Sequence, residues 1–191
     1  MSFIVGIDGP AGTGKGTITN LVAKDLKLNQ IDTGAMYRAF TLYMLDNKVE
    51  LDEIEKIKEL LEKVKIDLIQ EDDKETVFLN GKDVTKEIRS KSVTNFVSPV
   101  SSIIEVRIKM VELQRKMAEG KNVIMEGRDI TTYVFPNANV KIYLDANVEE
   151  RAKRRYKENI EKGMQTTFEE VLQDMKKRDY NDMHKPMGAL K

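Results

Sequence analysis

The segment Gly9-Pro10-Ala11-Gly12-Thr13-Gly14-Lys15-Gly16-Thr17 constrains this 191-residue chain more than any other. It follows the apolar run Phe3–Ile7 and precedes the helical pattern Thr19–Leu26, so a buried strand must turn through glycines straight into a helix. Glycines let successive main-chain N–H groups point into one concavity, and the helix N-terminus adds the positive end of its dipole. Lys15 brings an ammonium to the same place. Together these groups suit the polyphosphate tail of a nucleotide.

Two further runs, Val123–Met125 and Val140–Leu144, read as buried parallel strands of the same sheet. The stretch between the first and second runs has a different texture. It holds an amphipathic segment Leu51–Val64, alternating segments Lys65–Gln70 and Glu75–Leu79, a turn signal at Asn80-Gly81, and a helical pattern from Ile103 to Ala118 that ends at Gly120. Asn147 is placed to cap a helix reaching about Ile160, Lys162-Gly163 breaks it, and Thr167 is placed to cap another reaching Arg178. The expectation is one α/β domain, a parallel sheet with helices on both faces. Its core comprises residues 1–31, 119–150 and 175–191, with a substrate-holding insert over 32–118 and a helical lid over 151–174.

Composition narrows the chemistry. There is no cysteine, so disulfides and thiolate metal sites are excluded, which suits a reducing cytoplasm. Lys plus Arg number 32 and Asp plus Glu number 32, so no whole-chain field draws the protein to nucleic acid or membrane, and any anion site is local. No window approaches the roughly 18 apolar residues of a membrane span.

Three segments supply candidate anion-binding groups. Asp32-Thr33-Gly34-Ala35-Met36-Tyr37-Arg38 offers the planar fork of Arg38 to a phosphate dianion and the Thr33 hydroxyl to a base or ribose edge. Glu126-Gly127-Arg128-Asp129 stands at the C-terminal end of a core strand, where open α/β sheets present their ligand crevice. There Arg128 can clamp phosphate oxygens and Glu126 can accept hydrogen bonds from Mg²⁺-bound water. Arg151 and Arg155, four apart, share one helix face and can reach one ligand when a lid closes. Glu149, Glu150, Glu158 and Glu161 interleave that basic helix, which argues against a nucleic-acid surface.

The Gly14-Lys15-Gly16-Thr17 form of the loop resembles the nucleoside monophosphate kinases, because Gly16 stands where the general P-loop pattern has a Mg²⁺-contacting Ser or Thr. The segment Asp32–Arg38 sharpens the resemblance to the cytidylate kinases. That resemblance implies ATP as donor, CMP or dCMP as acceptor, and in-line phosphoryl transfer without a general base. Gly9 through Thr17 would hold ATP, with Thr17 near the α-phosphate. Lys15, Arg128, Arg151 and Arg155 would neutralise the transferring group. Mg²⁺ would be held by phosphates and water, with Thr17 or Glu126 behind that water.

For the acceptor, the resemblance implies Thr33, Tyr37, Arg38, Ser98, Arg107, Arg128, Asp129, Arg178, Asp182 and Lys185. Ser98 and Arg107 would recognise cytosine, and Asp129 would accept from the exocyclic amine that uracil lacks. Arg178 and Asp182 would hold the ribose and neighbouring phosphate. Lys185 stands where the family commonly has arginine, Glu126 where it has Asp, and Thr131 where it has Gly. The family continues past the segment matching Pro186–Lys191 into a further strand and helix, so the expectation is either a shortened polypeptide or a sheet one strand narrower, which would leave an edge exposed and the adenine pocket incomplete. The only histidine, His184, reads as a surface residue, and the protein is expected to act as a monomer. Kinases acting on AMP, UMP or shikimate-like alcohols are rival enzymes. A nucleotide-dependent switch is the rival of another class, but no guanine-reading loop is identifiable.

Overall fold

The computed structural model describes residues 2–71, 74–161 and 163–191. Four parallel strands form the main sheet in the order β2-β6-β1-β7: β1 (Ile4–Asp8), β2 (Asn29–Asp32), β6 (Val123–Gly127) and β7 (Val140–Tyr143). Side chains alternate across a strand, so the two faces carry different residues. Val5, Ile7 and Ile124 face α1 (Lys15–Leu26) through Ala23. Ile31, Val123 and Met125 face the opposite way, into a larger core shared with the 32–118 region.

That region contains α2 (Thr33–Asp46), α3 (Ile54–Lys63), α4 (Lys91–Val100) and α5 (Ile104–Ala118) around an antiparallel sheet of β3 (Ile66–Glu71), β4 (Lys74–Leu79) and β5 (Lys82–Asp83). Asn80 and Gly81 both take positive φ, 49° and 82°, as a two-residue hairpin turn requires. One continuous hydrophobic cluster runs from Ile31 and Met125 through Phe40, Ile57, Val77 and Met110, so the insert is bonded to the core by packing. The helices α6 (Val148–Glu161) and α7 (Phe168–Met183) instead share a small cluster of their own, built on Ala152, Val171 and Met175.

Several expectations need correction. Helix α1 starts at Lys15 rather than Thr19, so Lys15 lies in its first turn. Val140 and Ile142 are 39% and 40% exposed, because β7 pairs only with β1 and is an edge strand rather than a buried one. The helix from Thr167 runs to Met183, beyond Arg178, which puts Arg178 and Asp182 on the second helix of the hairpin. Asn147 does cap α6, its Oδ1 accepting from Glu149 N at 2.8 Å, and Thr167 forms a reciprocal capping box with Glu170. Of the expected break, Gly163 lies in a turn and Lys162 falls outside the described residues. Strand β2 was not anticipated, since Asn-Gln-Ile-Asp has one apolar residue. Nor was α4, which carries Pro99 within it.

Candidate active site

Parallel register brings the chemistry to one level. Asp32 pairs with Glu126, and Ile7 pairs with Glu126, so the ends of β2, β6 and β1 bring Asp32, Glu126 and Asp8 to one edge of the sheet. The loop after β1 wraps the first turn of α1. Lys15 Nζ donates to the carbonyls of Gly9 and Pro10 at 2.7 and 2.6 Å and to Thr13 Oγ1 at 3.3 Å. Burial, reinforced by the neighbouring Arg128 charge, pulls the Lys15 ammonium down to about 7 against the attraction of Glu126, Asp182 and Asp8. Burial and then the Asp32 charge push the Glu126 carboxyl up to about 7, with Lys15 pulling the other way.

Guanidinium groups from four elements gather across this crevice. Arg38 on α2 is held by Asp32, Nη2 to Oδ2 at 3.0 Å, while Asp32 also caps α2 by accepting from Ala35 N. Arg128, after β6, donates Nε to Asp182 Oδ2 at 2.7 Å. Arg178 on α7 has a buried Nε without a protein partner, as does Arg38. Burial and then the charges of Arg128, Arg38 and Arg155 drag Arg178 down to about 10, against the attraction of Asp182. Cations gathered around a buried guanidinium with an unpartnered Nε suit an anion.

Beside them lies a second group of buried polar side chains. Arg107, on α5 and 2% exposed, ion-pairs through Nη2 with Asp129 Oδ2 and stands over the Tyr37 ring, 5.5 Å from Cζ to centroid. Ser98 Oγ is buried there with no protein partner, and the buried Tyr37 hydroxyl has the Gln114 side chain as its neighbour. The cap of α4 is Ser90, so Ser98 has no capping duty. Unsatisfied buried polar atoms of this kind fit a ligand that carries its own donors and acceptors.

Some expected roles shift. Thr33 turns its hydroxyl to the Glu126 carbonyl at 2.7 Å, committing its donor to β6. Lys185 is buried against Ser101 Oγ at 2.9 Å and Asp182 at 2.8 Å, so its charge is already engaged. Arg151 is no loose lid cation: it is buried, donates Nε to Ala146 O and Nη1 to Ala11 O, and forks onto Asp179 at 2.6 and 3.2 Å. Arg155 is partly exposed beside Glu158. Ser98, Arg107, Asp129, Arg38, Arg128 and Arg178 therefore gather, with Arg155 near enough to act on Arg178, whereas Arg151 is committed to Asp179 and the loop. His184 is exposed and stacked on Tyr180.

Four residues escaped the sequence reading. Asp8, fully buried, accepts from Ile130 N, Thr131 N and Thr131 Oγ1 at 2.7–2.8 Å, so Thr131 uses its hydroxyl to hold the turn after Asp129. Continuing Phe3–Ile7 by one residue would have included Asp8. Glu75 on β4 reaches the Arg38 neighbourhood, and burial followed by Asp32 pushes its carboxyl up to about 7. Gln114 is buried on α5 beside the Tyr37 hydroxyl. Arg154 brings Nη2 to within 4.0 Å of where a Cβ on Gly12 would stand. No local pattern marks the last three, because their neighbours come from distant elements.

The cytidylate kinase family model matches residues 5–191. The chain belongs to the cytidylate kinase family. Cytidylate kinase of Fusobacterium nucleatum is 49% identical over 190 residues, which span all of this chain and 85% of that protein. Those of Leuconostoc mesenteroides and Bacillus subtilis are 48% and 45% identical over 99% and 98% of this chain, and 84% of each relative. Membership in the cytidylate kinases makes the protein a nucleoside monophosphate kinase that phosphorylates CMP and dCMP with ATP. Among the described residues, no helix is long and apolar enough to cross a membrane.

Proposed function

We propose that the glycine loop and Lys15 take the ATP tail while the Arg38, Arg128 and Arg178 cluster takes the CMP phosphate, with the base lodged against Ser98, Arg107 and Asp129. The observation that carries this division is the convergence of Arg128, Arg38 and Arg155 on Arg178, whose buried Nε, like that of Arg38, has no protein partner. A phosphate dianion supplies the missing charge. An incoming polyphosphate likewise offers Lys15 the anionic partner that burial now denies it. The acceptor phosphate is already an oxyanion, so transfer needs alignment and charge neutralisation rather than a base. Arg151 ties α6 to the loop at Ala11 and to α7 at Asp179, which supports a lid spanning residues 151–174 that exclude water.

Mg²⁺ fits this donor set. Among the described residues no group of three or more His, Cys, Asp or Glu side chains is placed to cage a metal, but Glu126 and Thr17 supply hard oxygens beside the loop. They would hold the ion through water while ATP phosphates ligate it, and it would neutralise charge on those phosphates. Both half-sites come from one chain, which supports a monomer. The substrates favour a cytoplasmic setting in pyrimidine nucleotide metabolism.

The test is a coupled ADP-release assay with CMP, dCMP, UMP, AMP and dTMP as acceptors. CMP and dCMP should be fastest. Loss of a charge-assisted contact of about 1.5–3 kcal/mol predicts that Arg38→Ala raises KM for CMP roughly ten- to hundredfold and leaves KM for ATP near its original value. Lys15→Ala should suppress kcat. Equal effects of Arg38→Ala on both substrates would refute the division.

A further inference from the structure

Beyond α7 the chain makes a short strap, and both of its ends are fastened to Asp182. Lys185 Nζ ion-pairs with the Asp182 carboxylate at 2.8 Å and donates to Ser101 Oγ at 2.9 Å. Leu190 N donates to the Asp182 carbonyl at 2.8 Å, and the Leu190 side chain is buried. Between these anchors stands Gly188, with φ of +64°, in the left-handed region that favours glycine. A Cβ built there would overlap both Arg107 Nη2 and Asp129 Oδ2, and would lie 2.8 Å from Arg107 Cζ. The main chain at Gly188 therefore rests directly on the buried Arg107–Asp129 pair. That pair is also bounded by the Tyr37 ring and, at 3.4 Å, by the Ser101 carbonyl accepting from Arg107 Nη1.

We propose that Gly188 is a specificity-determining residue, its bare backbone forming the wall of the nucleobase pocket that fixes the position of the Arg107–Asp129 pair. The proposal rests on the reading of Arg107 and Asp129 as the groups that recognise the base. Cytosine and uracil differ by an exocyclic amine exchanged for a carbonyl and by a ring N3 that accepts in one and carries a hydrogen in the other. A carboxylate rejects the wrong base only if it cannot swing away or admit water. Close-packed backbone on one side supplies that constraint, and a single methyl group there must displace the guanidinium, the carboxylate or the strap.

The experiment compares Gly188→Ala with Gly120→Ala. Gly120 has nearly the same backbone, φ +70°, but nothing within 4 Å of an added Cβ, so it reports backbone strain alone. The readout is the ratio of kcat/KM for CMP to that for UMP, alongside KM for ATP. Gly188→Ala should lower the ratio at least tenfold relative to Gly120→Ala while KM for ATP stays within twofold. Leu190→Ala, which loosens the strap without adding a clash, should lower the ratio in the same direction and serves if Gly188→Ala does not fold. Ratios in both strap variants equal to that of Gly120→Ala would overturn the proposal. Asp129→Asn is run in parallel: if it abolishes discrimination while the strap variants do not, only the Gly188 role falls. If Asp129→Asn leaves the ratio intact, the base-reading assignment itself falls.

Discussion

Asp182→Asn should be among the most damaging single substitutions in this protein, for a reason visible in its partners. The Asp182 side chain is 5% exposed and neutralises two cations, Lys185, itself 4% exposed, and Arg128. Burial alone would raise its pKa, yet Arg128 and Lys185 hold the carboxyl well below the usual range. An amide of the same shape leaves Lys185 as a buried, uncompensated charge. Breaking a buried pair from one side costs about 3–5 kcal/mol, a large share of the roughly 5–15 kcal/mol that holds a domain together. With a urea m-value of about 1–3 kcal/mol/M, the midpoint should fall by at least about 1 M. The sign with pH follows from the depressed folded pKa. The contribution is fully present above the unfolded value of 3.8 and is lost progressively as pH falls from there through the far lower folded value, so the gap between wild type and variant should begin to narrow only below about pH 4. Adding Lys185→Met to the variant removes the stranded cation and should recover part of the loss. Urea unfolding followed by circular dichroism at pH 7 and pH 3 decides the matter. An unchanged midpoint at pH 7, or a gap that persists undiminished at pH 3, would refute the reasoning.

Glu126→Gln should flatten the stability profile on one side of neutrality. Between pH 4.5 and about 7 the folded protein keeps a proton on Glu126 that the unfolded chain has lost, so stability should fall through that window by up to roughly 3 kcal/mol, at about 1.36 kcal/mol per pH interval. Lys15, depressed to about 7 from 10.5, acts in reverse and should restore stability as pH rises through the interval above. Calorimetric Tm against pH should show the descending limb become shallower in the variant, with Glu75, also raised to about 7, supplying what remains, and an unchanged slope would count against the assignment. Arg151→Lys keeps the charge but loses the fork onto Asp179 and the reach to Ala11, so kcat should fall about tenfold or more with KM for CMP little changed. An unaltered kcat in steady-state assays would show that the Arg151 tie between α6 and the loop is dispensable.

Much was legible in order along the chain. The glycine loop is a local device, made of consecutive residues whose conformational freedom and helix-end amides act together wherever they occur. The hairpin at Asn80-Gly81, the cap at Thr167 and the strand-end position of Glu126 are local in the same sense. Each depends on neighbours within a few residues, so sequence by itself determined them.

Partnership was decided only in three dimensions. That Arg151 is locked to Asp179, that Lys185 is engaged by Ser101, and that Asp8 holds Thr131 all join residues at least 28 positions apart. No spacing rule registers such contacts, because closure of the sheet and docking of α6 and α7 bring the groups together. The exposure of β7 is of the same kind: Val-Lys-Ile-Tyr reads as a core strand from composition, and only the pairing order makes it an edge. A sequence can specify which charges a site will hold. Whether a given arginine faces a phosphate or an aspartate depends on the distance between elements that only the folded chain sets.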